Sequence, residues 1–228
     1  MANQDDSFIR EVNEELRSDR MRDAWRRYGK ILIAAAVILV VGTAGWRGYE
    51  YWQSREAAKS GDVFLTALNQ IEAGNLDAAE QTLAQLEQEG HGSYPVLAQL
   101  RAATLLSEAG DTAAAISAFS SIGKDRDVPE AIRDAAKLRA GWLLVDTGTY
   151  EQVSAEVEEL SNDGNPFRFS AREILGLSAY RLKDYTRAQQ WFEAIANDPE
   201  APRNVLNRAQ IMLEVMTADG NVAESAAG

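Results

Sequence analysis

Leu175-Gly176-Leu177-Ser178-Ala179-Tyr180-Arg181-Leu182-Lys183-Asp184-Tyr185-Thr186-Arg187-Ala188-Gln189-Gln190-Trp191-Phe192, closing on Asp198-Pro199, is the stretch that decides the fold. Apolar residues recur at helical spacing on both sides of Lys183-Asp184, which reads as two short helices joined by a tight turn. The same turn signal stands at Gly74-Asn75, Gly110-Asp111 and Gly148-Thr149. Gly74, Gly110, Gly148 and Lys183 lie 36, 38 and 35 residues apart, close to the period of about 34 residues found in arrays of helical hairpins.

Aligning the four turns brings further positions into register. Seven residues before each turn stands a small residue: Ala67, Ala103, Gly141 and Gly176. Five residues after it stand Ala79, Ala115, Val153 and Ala188, and nine after it Leu83, Phe119, Val157 and Phe192. Small residues on a first helix let the second approach closely, and the larger residue fills the seam. Gly176 is therefore expected to be a close helix contact. Further breaks fall at Gly90 to Pro95, Lys124 to Pro129, Asn162 to Pro166 and Asn197 to Pro202, and alternating strand patterns are almost absent. The expected fold class is all-α, a solenoid of about four helix-turn-helix repeats.

Ahead of this body lies an uncharged run, Ile31-Leu-Ile-Ala-Ala-Ala-Val-Ile-Leu-Val-Val-Gly-Thr-Ala-Gly-Trp46. As a helix it spans only about 24 Å of a hydrocarbon core of roughly 30 Å. Lys30 and the interfacial aromatics Tyr28, Trp46, Tyr49, Tyr51 and Trp52 extend it, so the run predicts a single transmembrane helix. Arg10, Arg17, Arg20, Arg22, Arg26, Arg27 and Lys30 precede it, against Arg47, Arg55 and Lys59 just after. The positive-inside rule then keeps the N-terminus cytoplasmic and sends the body across. Seven acids before the run, and Phe8, Val12, Leu16, Met21, Trp25 and Tyr28 at helical spacing, argue for an amphipathic helix and an uncleaved anchor over a signal peptide. The expected organisation is a cytoplasmic helix over 1–30, a membrane helix with its flank over 31–52, and a periplasmic repeat domain over 53–228. Ala34 to Ala36, Gly42, Ala44 and Gly45 are candidates for packing against other membrane helices.

Composition narrows the function. Of 228 residues 46% are hydrophobic, and cysteine is absent, which removes disulfide frameworks, thiol nucleophiles and CxxC metal sites. His91 is the single histidine, too few for a His-based metal cluster or a triad. The net charge of −12 lies wholly in residues 53–228, since residues 1–52 hold 8 basic and 8 acidic groups. An acidic body disfavours nucleic acid. Glu156, Glu158 and Glu159 read as a solvated helix face. Trp142, Leu177 and Tyr180 sit on first helices, at positions that line the groove of such solenoids; ordinary packing between repeats is the competing reading. No catalytic residue, metal, cofactor or small-molecule substrate is expected.

The combination resembles a family of single-pass inner-membrane proteins with a periplasmic tetratricopeptide repeat-like domain, the ancillary subunit of the Sec translocon. At the anchor the resemblance rests on Trp25, Tyr28-Gly29-Lys30, the apolar run and Gly45-Trp46-Arg47-Gly48-Tyr49. In the body it rests on Ser93-Tyr94 leading into Ala98, on Leu138-Arg139-Ala140, and on Gly176 to Phe192. The arginine-rich leader and the chain after Pro202 depart from the family pattern. The resemblance implies a non-catalytic protein partner of the Sec translocon subunits and of a membrane-anchored periplasmic chaperone, which helps exported clients leave the channel. A membrane-anchored scaffold for cell division or cell-wall assembly is the alternative.

Overall fold

The computed structural model describes residues 3–220 and 222, with side chains from Trp25 onward. The expected apolar face of Phe8, Val12, Leu16 and Met21 lies outside the described side chains. Among the described residues the chain forms nine α-helices and no strand. They are α1 (Asn3–Glu72), α2 (Leu76–Glu89), α3 (Tyr94–Glu108), α4 (Thr112–Lys124), α5 (Glu130–Thr147), α6 (Tyr150–Val157), α7 (Arg168–Arg181), α8 (Tyr185–Ala196) and α9 (Arg203–Ala218). A 3-10 turn at Glu158–Ser161 follows α6. The chain divides into two compact units, residues 1–58 and 59–228. Among the described residues of the first, α1 is the sole element.

The second unit is four helical hairpins and a closing helix. Residues 59–72 of α1 pair with α2, then α3 with α4, α5 with α6, and α7 with α8. The turns explain why the hairpins are so short. Gly74 and Gly110 adopt φ of +77° and +87°, a left-handed conformation that glycine enters without a Cβ penalty. The amides of Asn75 and Asp111 reach back to the carbonyls of Gln70 and Leu106 at 2.8 and 2.9 Å. This is a Schellman closure in which the residue that ends one helix also begins the next. Lys183 makes the same turn at φ +64°, with the Asp184 amide on the Ala179 carbonyl at 2.9 Å. Asp111 and Asp184 then cap the second helices, accepting from the amides of Ala114 and Arg187 at 3.0 and 3.1 Å.

The third hairpin is built differently. Gly148 is extended at φ −93°, and Thr149 with Gln152 forms a capping box, which satisfies two free amides at the helix start. Its second helix runs for only eight residues before tightening into the 3-10 turn.

All twelve positions in register are buried, from Ala67 and Ala79 at 0% exposure to Phe119 at 2%, with Gly141 and Gly176 among them. A Cβ on Gly176 would stand 2.9 Å from Phe192 Cε1, and one on Gly141 would stand 2.5 Å from Val157 Cγ1. The small residue of each glycine-bearing repeat thus faces the large residue of the same repeat. Burying each such Leu, Val or Phe contributes roughly 1.5–3 kcal/mol. After Pro202 comes α9, whose Val205, Ala209 and Met216 cover Phe192 and Ile195. This helix is a cap for the last hairpin.

Charged groups also tie repeats together. Glu156 is 8% exposed and accepts from Ser120 Oγ at 2.7 Å and Lys124 Nζ at 3.4 Å. This corrects the expectation of a solvated face at that position: Glu156 turns toward the preceding hairpin, while Glu158 and Glu159 are exposed. Arg172, 7% exposed, donates to the carbonyls of Ser161 and Ala194 and to Asp198 and Asp163. Glu173, 5% exposed, takes a two-pronged contact from Arg208 of α9 at 2.5 and 2.7 Å. A buried carboxylate without such a donor would cost several kcal/mol.

Candidate functional site

Two surfaces stand out, one in each unit. In the first unit, Ile31, Leu32, Ile33, Val37, Ile38, Leu39, Val40 and Val41 are all more than half exposed. The helix from Trp25 reaches a mean hydropathy of 1.9 in its most apolar window, only 6% of which is buried. It is long and apolar enough to cross a membrane. Because the helix is continuous, the distance from Tyr28 to Tyr51 is about 35 Å, which removes the shortfall of the apolar run taken alone. Tyr28, Tyr49, Tyr51 and Trp52 at its ends are paired with cations or with each other. Arg27 stands over Tyr28 at 5.9 Å, Arg55 over Tyr51 at 5.0 Å, and the Tyr49 and Trp52 rings lie 6.3 Å apart. Thr43 directs its hydroxyl to the Leu39 and Val40 carbonyls, so the polar group in the run is satisfied within the helix. Nothing within 4 Å would meet a Cβ at Gly42 or Gly45, and Ala44 is exposed. These small residues present bare backbone rather than an internal contact.

In the second unit, the three candidate groove residues occupy different settings. Trp142 on α5 is 41% exposed. Leu177 on α7 is half-buried and packs against core clusters on both sides of its hairpin. Tyr180 is half-buried, with its ring edge-on to Tyr185 at 5.7 Å. Leu177 and Tyr180 thus share one cluster, and Trp142 belongs to neither of the clusters that hold them. Trp142 and Leu177 are nevertheless equivalent, each six residues before its turn.

Sequence reasoning missed a cleft of about 490 Å³ on the first helices, lined among others by Phe64, Leu97, Leu100, Arg101 and Arg139. Arg101 and Arg139 both stand nine residues before their turns, a register signal that could have flagged them. A second missed feature joins the third and fourth hairpins. Trp191 Nε1 donates to Tyr150 Oη at 2.9 Å, and Arg187 stacks over the Tyr150 ring at 4.2 Å. Burial pushes the Tyr150 phenol above its ordinary pKa, with the Trp191 hydrogen bond opposing. That cluster is a structural clasp of aromatic and cation contacts. His91 lies exposed in the Gly90–Ser93 connection, its amide donating to Ser60 Oγ at 2.9 Å. Among the described residues no group of three His, Asp or Glu is placed to hold a metal. The surfaces can bind and pack.

Two comparisons with known proteins bear on these surfaces. The model of a tetratricopeptide repeat-like domain family matches residues 22–214, which takes in both the apolar helix and the hairpins. The chain is also 28% identical, over 166 residues, to a Haemophilus influenzae protein named ancillary SecYEG translocon subunit; the match covers 72% of this chain and 78% of that relative.

Proposed function

The chain belongs to the tetratricopeptide repeat-like domain family, and from that premise we propose that it is a non-catalytic, membrane-anchored accessory subunit of the Sec translocon. The observation that carries the reading is one helix, α1, which contains the apolar segment and ends as the first helix of the repeats. A single element thus joins a surface suited to lipid and to a surface suited to proteins. The likeness to the H. influenzae translocon subunit supports the choice of assembly. In this reading residues 1–30 are cytoplasmic, 31–52 anchor the chain in the inner membrane, and 53–228 stand in the periplasm, as the Lys/Arg asymmetry favours. Gly42, Ala44 and Gly45, with Ala34 to Ala36, pack against translocon helices through close backbone approach. The acidic repeats hold a periplasmic chaperone or an emerging client, weakly and with salt dependence.

Affinity purification in mild detergent tests the proposal, comparing the full chain with a form lacking residues 1–58. Translocon subunits should accompany the full chain only, and crosslinkers within residues 31–46 should capture them. Protease added to spheroplasts should reach the repeats and spare the leader. Recovery of division or cell-wall proteins with no translocon subunit would refute the assignment.

A further inference from the structure

The cleft on the first helices has a chemistry unlike the rest of the second unit. Phe64 of α1, Leu97 and Leu100 of α3, and Ala135 of α5 give it an apolar floor. Arg101 and Arg139 stand on the same cleft against a single acid, Glu108, in a body whose excess charge is negative. Arg139 is exposed and has no ion pair among the described residues. Arg101 is only partly engaged: its Nη1 meets Glu108 at 3.2 Å, while its Nε is buried without a hydrogen-bond partner. A guanidinium carries five donors in a planar fork suited to carboxylates. With Arg139 unpaired and Arg101 only partly engaged, the cleft holds more guanidinium donors than acceptors.

We propose that this cleft is a docking site for a segment of a partner protein in which an acidic side chain is flanked by apolar ones. The carboxylate sits between Arg101 and Arg139, and its apolar neighbours lie on Phe64, Leu97 and Leu100. Charge complementarity selects this occupant. The acidic excess of the body disfavours an acidic segment in general, two arginines against one acid favour it here, and the apolar floor rejects one that is acidic throughout. The inference draws on the preceding section only for the existence of a protein partner, and it names the surface and the chemistry that the partner must bring.

The test uses the full chain in detergent micelles and a short fluorescein-labelled peptide of leucines around one glutamate, followed by fluorescence anisotropy. Two control peptides carry glutamine or lysine in place of the glutamate. The glutamate peptide should bind with an affinity that falls as salt rises, and the lysine peptide should bind at least about tenfold more weakly. Arg139→Glu should weaken the glutamate peptide by about tenfold or more, and Arg101→Gln by several-fold. Arg126→Glu makes the same charge change in an exposed loop outside the cleft and should leave binding nearly unchanged. Circular dichroism of each variant checks that the repeats remain folded. Equal binding of the three peptides, or equal losses from Arg126→Glu and Arg139→Glu, would overturn the proposal. The assay contains no translocon subunit, so its failure leaves the translocon reading standing, and failed co-purification leaves the peptide result standing.

Discussion

Replacing Gly176 by alanine adds one methyl group at the tightest seam of the fourth hairpin. That carbon would lie 2.9 Å from Cε1 and Cζ of Phe192 and 3.2 Å from Cε2. Carbon atoms rest at about 3.5–4.0 Å, so the ring would have to retreat by roughly 0.6–1 Å. It has nowhere to go, because Phe192 is 1% exposed and packs in a cluster with Ala179, Ala188 and Ile195, all fully buried. Overpacking of this kind costs about 1–3 kcal/mol, while alanine in place of a helical glycine returns about 1 kcal/mol. The expected outcome is a net loss of up to about 2 kcal/mol, and a drop in Tm of roughly 2–4 °C per kcal/mol for a domain of this size. Phe192→Leu alone should also destabilise, by about 1–2 kcal/mol, through the cavity it leaves. In the Gly176→Ala background the same change relieves the clash, so the two should couple by at least about 1 kcal/mol. Thermal melts of the four proteins in detergent micelles, followed by circular dichroism, give the cycle. An unchanged or raised Tm for Gly176→Ala, with a Phe192→Leu effect that simply adds, would refute the close packing.

Lys183→Gly should stabilise the chain by about 0.5–1 kcal/mol, because a side chain at φ +64° is strained where glycine is not; Gly110→Ala should do the reverse by about 1 kcal/mol, both read as shifts in Tm. Arg208→Ala strands the buried Glu173 carboxylate and should cost about 1–3 kcal/mol, less than for a sealed pair because Arg208 is itself half exposed. Adding Glu173→Leu to Arg208→Ala should recover part of that loss in a urea melt. Asp198 is held below the usual aspartate range, chiefly by the Glu200 amide and then by Arg172. A depressed folded pKa contributes stability above the unfolded value and loses it as pH falls through the folded one. Melts should therefore weaken below about pH 4, and Asp198→Asn should flatten that part of the profile.

The repeats were legible because hairpins are local. Turn residues and small-large pairs lie within one hairpin, so a fixed offset from Gly74, Gly110, Gly148 or Lys183 finds the seam without knowledge of the tertiary fold. Lys183 could be aligned with three glycines because its neighbours Tyr180 and Asp184 carried the turn, although only the structure reveals the left-handed backbone it adopts. The third repeat departs from the others in its turn, which is capped by Thr149 and Gln152 instead of closing through a left-handed glycine. Contacts between hairpins were harder. Glu156 looked like its exposed neighbours Glu158 and Glu159, and the difference is set by Ser120 and Lys124, more than thirty residues away. The arginines of the first-helix cleft were hidden likewise, since a helix sequence says which residues share a face but not which face a neighbour leaves open.

The turns inside the repeats also decide where the chain can take an insertion. Between α1 and α2, α3 and α4, and α7 and α8 only three residues intervene, and the last of each three starts the following helix. One added residue there would rotate the second helix by about 100° and carry its buried alanine out of the seam. The connections at 90–93, 125–129, 162–167 and 197–202 are longer and do not share a residue between two caps. An epitope or a fluorescent tag placed in those connections leaves every hairpin intact, whereas the same tag at Gly74, Gly110 or Lys183 would split one in half.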